Sequence, residues 1–192
     1  MKKPVVFLLL PLSLFFPGTA SAAEWTGNFN AYLGAKALDD NEWVADEQAE
    51  IGARLDFKKK GWPFSIAADT HFSNGDDKRF VGGTGLVDEE VDTCEFNLGL
   101  RKYWVTTSSL RPFLGGGLAY AQLEAKRKID GVTDLSDRDH GIGVWVNGGI
   151  LWTINAFNVG FDLRYTEVEM SLDTGNVEGG GPHAGVLLGY HW

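Results

Sequence analysis

Several things are scarce in this chain, and each absence narrows the reading. There is one cysteine, Cys94, in 192 residues, so no internal disulfide can form. A small apolar role on a packed or greasy surface suits it better than a reactive one. Basic residues are outnumbered, 17 against 26 acidic ones, for a formal net charge of -9, which argues against nucleic acid as a partner. After the first sixteen residues no segment approaches the roughly 20 apolar residues of a membrane helix. The mean hydropathy of -0.13 reads as that of a water-soluble protein. A membrane-spanning β-barrel reads the same way, because half of each strand faces a polar interior. Periodicity therefore has to decide.

The N-terminus carries Lys2 and Lys3, an apolar stretch from Val5 to Phe16, and Ala20-Ser21-Ala22. A positive start, a short apolar core and small-x-small residues describe an export signal, so residues 1–22 are expected to be a cleaved signal peptide. Residues 23–192 are then one domain.

Within that domain strict alternation recurs about eight times. Phe29, Ala31, Leu33 and Ala35 oppose Asn28, Asn30, Tyr32 and Lys36. Ala49, Ile51, Ala53, Leu55 and Phe57 oppose Gln48, Glu50, Arg54 and Asp56. Phe64, Ile66, Ala68, Thr70 and Phe72 oppose Ser65, Asp69, His71 and Ser73, and Cys94, Phe96, Leu98 and Leu100 oppose Glu95, Asn97 and Arg101. Phe113 to Ala125 is a noisier run, with Gln122 and Glu124 expected on its polar side. Val144, Val146 and Ile150 oppose Trp145 and Asn147, and Phe157, Val159, Phe161, Leu163 and Tyr165 oppose Asn158, Asp162, Arg164 and Thr166. The last run sets Ala184, Val186, Leu188, Tyr190 and Trp192 against His183, Gly185, Gly189 and His191. Period two predicts strands, each long enough to cross a bilayer when tilted.

The connections alternate in length. Short ones are expected near 58–63, 105–111 and 153–156, and long ones near 38–47, 74–92, 126–141 and 171–182. Aromatics gather at the ends flanking the short connections: Trp25, Phe57, Trp62, Phe64, Trp104, Phe113, Trp152, Phe157, Tyr190 and Trp192. Rings with a polar edge favour a membrane–water boundary, so these read as one girdle.

This pattern resembles the small eight-stranded bacterial outer-membrane barrels of the OmpA/OmpX type, on the stretches Arg111–Gly117, Phe157–Tyr165 and Gly189–Trp192. The resemblance implies an all-β, up-and-down antiparallel transmembrane barrel of eight strands in a Gram-negative outer membrane. It also implies that Tyr190 and Trp192 serve as the insertion signal read by the barrel insertion machinery, although Leu187 stands where the family prefers glycine.

Charged residues on the inward face are Glu50, Arg54, Asp56, Asp69, Glu95, Arg101, Glu124, Asp162 and Arg164. An eight-stranded barrel is just wide enough for side chains to fill, so these are expected to pair as a polar plug, each arginine between carboxylates. The expected role is structural or surface-interacting and non-enzymatic, exerted by a monomer through its external loops. The expected partners are outer-membrane lipids and lipopolysaccharide, with no cofactor. A narrow solute channel is one alternative. Another rests on His71-Phe72-Ser73-Asn74, which resembles the His-x-Ser-Asn motif of outer-membrane lipid A deacylases. There the serine faces lipid, whereas the alternation here turns His71 and Ser73 inward. The loops hold many acids, Asp39, Asp40, Glu42, Asp76, Asp88 and Asp130 among them, without a calcium-loop pattern. Lys126, Arg127 and Lys128 are candidates for contact with lipopolysaccharide phosphates.

Overall fold

A computed structural model describes residues 24–38, 47–81, 85–104, 106, 109–129, 132–172 and 175–192. The expected signal peptide lies outside them, as do Asp39, Asp40, Glu42 and Asp130. The described residues form β1 (Trp25–Ala37), β2 (Glu47–Lys59), β3 (Ser65–Val81), β4 (Gly85–Tyr103), β5 (Leu110–Ile129), β6 (Val132–Ile154) and β7 (Phe157–Glu167). A small hairpin follows, β8 (Glu169–Leu172) with β9 (Gly175–Glu178), and β10 (Gly181–His191) ends the chain. Every barrel pairing is antiparallel; β1 to β7 pair in sequence order, β7 pairs with β10 past the hairpin, and β1 pairs with β10 to close an eight-stranded barrel. Closure leaves no unpaired edge, which is what allows strands to cross hydrocarbon.

The seam is sealed at its lower end by Trp192. Its backbone exchanges two 3.1 Å hydrogen bonds with Gly27, and its carbonyl also accepts from the Thr26 hydroxyl at 2.7 Å. The indole lies against the bare backbone of Gly27, where a Cβ would strike it. The short turns match expectation. Between β6 and β7 the turn is carried by Asn155 at φ 56°, a left-handed conformation asparagine tolerates.

Large apolar side chains cover the outside, with Leu33, Ile51, Phe96, Leu98, Leu118, Val144, Leu163 and Leu188 all more than half exposed. The expected lower girdle is present except for one member. Phe113 points into the barrel and is 3% exposed, with its ring against Gly149 and the Arg54 guanidinium. Gln122 and Glu124 are the opposite correction: they face outward, while Ala119, Ala121, Leu123 and Ala125 face in. Polarity inverts along β5 because its upper part stands beyond the belt of outward apolar side chains, so its outer face carries polar residues while its inner face packs against other protein.

The second and third long connections also differ from expectation. They are not loops, because β3 with β4 and β5 with β6 continue as paired strands to Val81, Gly85, Ile129 and Val132. Beyond the apolar belt these four strands form a raised sheet. The β8–β9 hairpin folds against β6, and Val168, just before it, joins Met170 in a buried apolar cluster with Leu38, Val91, Leu123, Ala125 and Trp145.

Candidate functional site

The lumen is built in layers. At the bottom Asn158 Nδ2 donates to Asn28 Oδ1 at 3.0 Å and to Asn30 Oδ1 at 3.1 Å, and Arg111 reaches Asn28 Oδ1 at 3.3 Å. Next comes the densest layer. Arg101 Nη2 bonds Asp69 Oδ2 at 2.6 Å, and its Nη1 lies 3.5 Å from Asp56. Arg54 bridges Asp162 at 2.8 Å and Asp69 at 3.4 Å. Asp56 also accepts from the Tyr103 hydroxyl at 2.6 Å and from Asn28 at 2.7 Å. The rings of Phe113 and Trp145 lie 5.8 and 5.7 Å from the Arg101 guanidinium, so its faces are covered as well as its edges.

Above this sits a cluster around Glu50. Arg164 Nη2 donates to Glu50 at 3.0 Å, His183 Nδ1 lies 3.0 Å from the same carboxylate, and His71 Nδ1 lies 3.3 Å away. The Tyr32 ring packs edge-on against His71 at 4.9 Å, seated on Gly34 and Gly185, where any Cβ would meet it. Higher still, Lys36 bonds Glu95 at 2.6 Å and the Gly179 carbonyl at 2.8 Å, which ties the upper hairpin region to the wall. The buried charges of these layers are Lys36, Arg54, Arg101 and Arg164 against Glu50, Asp56, Asp69, Glu95 and Asp162. Near balance is what burial demands, since an unpaired charge costs several kcal/mol.

Of the nine charged residues expected on the inward face, eight are brought together here and Glu124 is not. Arg54 and Arg101 each sit between two carboxylates. Among the described residues Arg164 bonds the carboxylate of Glu50, and its guanidinium also meets His183 and the Tyr32 ring. Lys36 was visible on the inward face of the first run, but nothing in the sequence tied it to Glu95, 59 positions away. Among the described residues, both Asn97 amide atoms and Arg164 Nε and Nη1 meet no hydrogen-bond partner.

His71 and Ser73 do not form a nucleophile–base pair. The Ser73 hydroxyl donates to Gln48 Oε1 at 2.7 Å, and His71 is turned to Glu50. Both are buried in the lumen, away from lipid. A Ser73→Ala variant is therefore expected to leave the acylation of lipid A unchanged, as read by mass spectrometry of lipid A from cells expressing it. Loss of an acyl chain in the parent strain alone would reverse this. Among the described residues no cluster of His, Cys, Asp and Glu has the makings of a metal site.

The raised sheet is the other distinctive surface. On the outside of β3 and β4, Asp76 faces Glu90, Lys78 bonds Asp88 at 3.0 Å, and Phe80 faces Leu86 at the tip. The Lys78 ammonium is held above its ordinary pKa by its bond to Asp88. Phe80 is 75% exposed. On the inner side Glu89 is fully buried and bonded to Arg127 at 2.7 Å, which locks β4 to β5 above the membrane.

No protein-family profile and no curated protein sequence matches the chain. Solved structures do. The outer membrane protein OprG from Pseudomonas aeruginosa superposes with a TM-score of 0.59 at 14% identity, covering 88% of this chain and 94% of that one. Ail, the attachment invasion locus protein of Yersinia pestis, gives 0.54 at 11% identity over 88% and 99% of the two chains. A major outer membrane protein from Thermus thermophilus gives 0.50 at 11% identity over 86% and 99%. The chain has the fold of the small eight-stranded outer-membrane barrels. At these identities the likeness speaks for the architecture alone. Ail has also been solved in complex with the heparin analogue sucrose octasulfate, at a TM-score of 0.51. The raised sheet of the small outer-membrane barrel in hand carries more acidic than basic residues.

Proposed function

We propose that this protein is an integral outer-membrane barrel that works through its external surface and does not conduct. The observation that carries this reading is the filled lumen. Two arginines, each between two carboxylates, occupy the densest layer, and a second charged layer and an apolar cluster lie above it. A solute would have to break several buried ion pairs to pass, each strongly destabilising once one partner is removed. What remains for function is the raised β3–β6 sheet with its apolar Phe80 and Leu86 tip, held rigid by strand pairing and by the Glu89–Arg127 bond. Rigid elements present a recognition surface at a lower entropic cost than mobile loops. That Ail, a protein of the same fold, binds a sulfated sugar analogue supports a surface role in general.

Two measurements test the reading. Purified protein in planar bilayers is expected to give no stepwise conductance, whereas steady single-channel steps abolished by neutralising Arg54 and Arg101 would establish a pore. In cells, replacing Phe80 and Leu86 with serine is expected to reduce adhesion to an immobilised apolar surface at least several-fold without lowering barrel abundance. Unchanged adhesion would remove the hairpin tip from the account.

A further inference from the structure

On the outer wall, where the raised sheet meets the belt, lies an open groove of about 810 Å³. Its floor is apolar: Leu33, Ala49, Ile51 and Phe72, all facing outward. Its upper rim is polar: Asn74, Asp92, Gln122, Glu124 and Arg138. The groove's height follows from the strand. From Phe64 in the lower girdle to Asn74 is ten residues. At about 3.3 Å per residue and a tilt of about 40° that is roughly 25 Å along the membrane normal, the height of the apolar band in such barrels. The floor therefore faces acyl chains and the rim faces headgroups. With the short turns periplasmic, the leaflet concerned is the outer one.

The rim's chemistry is specific. Its side chains are held in couples, Asn74 donating to Asp92 at 2.7 Å and Arg138 to Gln122 at 2.5 Å, and Lys126, just outside the groove, bonds Glu124 at 2.8 Å. Asp92 and Glu124 stand directly opposite each other in register, an unfavourable arrangement for like charges unless donors approach from outside. Arg138 stands opposite Glu124 on the other side. Two cations within reach of two carboxylates and two amides match a headgroup that offers both phosphate and hydroxyl or amide donors. A headgroup of phosphate alone would bring its charge against Asp92 and Glu124.

We infer that this groove is a binding site for one phosphorylated glycolipid of the outer leaflet, the lipid A class. Its phosphate sits on Arg138 and Lys126, its sugar hydroxyls or amide N–H groups donate to Asp92 and Glu124, and an acyl chain lies along Leu33, Ile51 and Phe72. The inference rests on the membrane placement proposed above, but not on what the hairpin tip binds.

The test uses the full barrel in nanodiscs containing equal amounts of lipid A, phosphatidylglycerol and phosphatidylethanolamine, with EDTA to remove cation-bridged association. Lipids retained after release are counted by native mass spectrometry. The expected result is one retained lipid A, preferred over either phospholipid by about tenfold, as a pair of charge-assisted contacts would give. Arg138→Gln with Lys126→Gln should abolish that preference, and Ala49→Trp, which fills the floor, should remove the retained lipid altogether. Equal retention of the three lipids, a preference for phosphatidylethanolamine, or indifference to these substitutions would overturn the site. Failure of the protein to enter the bilayer at all would instead overturn the membrane placement. Both variants are scored only as inserted, non-conducting barrels, so a folding defect registers separately.

Discussion

An Arg101→Met variant is expected to lose about 3–5 kcal/mol of unfolding free energy, the penalty for leaving a buried carboxylate without its partner. Arg101 is fully buried and holds Asp69 at 2.6 Å, with Asp56 at the edge of its reach. Methionine keeps much of the length and the contacts to Phe113 and Trp145 but donates nothing. Asp69 would then depend on Arg54 Nε at 3.4 Å, and Arg54 is already committed to Asp162 at 2.8 Å. Asp56 would fare better, because Tyr103 and Asn28 still donate to it. The stranded charge is thus Asp69, and this identifies the compensating change. Asp69→Asn alone should also destabilise, but with Arg101→Met it should recover at least about 2 kcal/mol relative to the sum of the single changes. Urea unfolding in lipid vesicles, followed by tryptophan fluorescence, gives the four corners of the cycle. A shift below about 1 kcal/mol for Arg101→Met, or strict additivity in the double variant, would show that the plug is not held by this pair.

The same layer shows what the sequence makes visible and what it hides. Eight alternating runs, three short turns and the inward set from Glu50 to Arg164 are readable because lipid imposes one polarity on every outward position along a strand. That rule expires at the headgroups. Gln122 and Glu124 follow the same period as Leu118 and Tyr120 but lie above the belt, so their polarity marks the outer wall rather than the lumen. Phe113 fails for a different reason. Its partner across the strand pair is Gly149, which leaves room inside for a ring that stacks beneath Arg54. A glycine opposite an aromatic is the signal that would have placed it. The upper hairpins misled because charged alternation reads as a solvated loop, although Lys78 and Phe80 with Asp88 and Leu86 form matched cross-strand pairs. Individual partners were beyond reach, since Glu50 and Arg164 are 114 positions apart and only barrel closure brings them together.

Closure also depends on how closely neighbouring strands approach, and a Gly99→Val substitution tests that directly. Gly99 and Gly117 face each other across β4 and β5, and both turn inward. A Cβ on Gly99 would collide with the backbone of Gly116 and Gly117, and one on Gly117 with the backbone of Leu98 and Gly99. No rotamer change relieves a contact with backbone, so the strands would have to separate. The indole of Trp145, the register partner of Gly117 on β6, spans this bare patch and points its Nε1 at the Leu98 carbonyl, 3.4 Å away. A branched side chain would lift that ring off the patch and away from Arg101, so strain and the loss of a covered ion pair would add. The expected cost is at or beyond the roughly 3 kcal/mol upper end of ordinary overpacking. Gly148 provides the matched control, because a Cβ there meets only the Leu114 Cδ1 at 3.5 Å and the Phe113 carbonyl at 3.6 Å. Gly148→Ala should therefore retain the heat-modifiable electrophoretic mobility of a closed barrel under conditions where Gly99→Val migrates largely as unfolded chain. Equal folded fractions for the two would mean that β4 and β5 tolerate a wider spacing than the glycines impose, and the account of how this lumen keeps its charged layers in contact would fail with it.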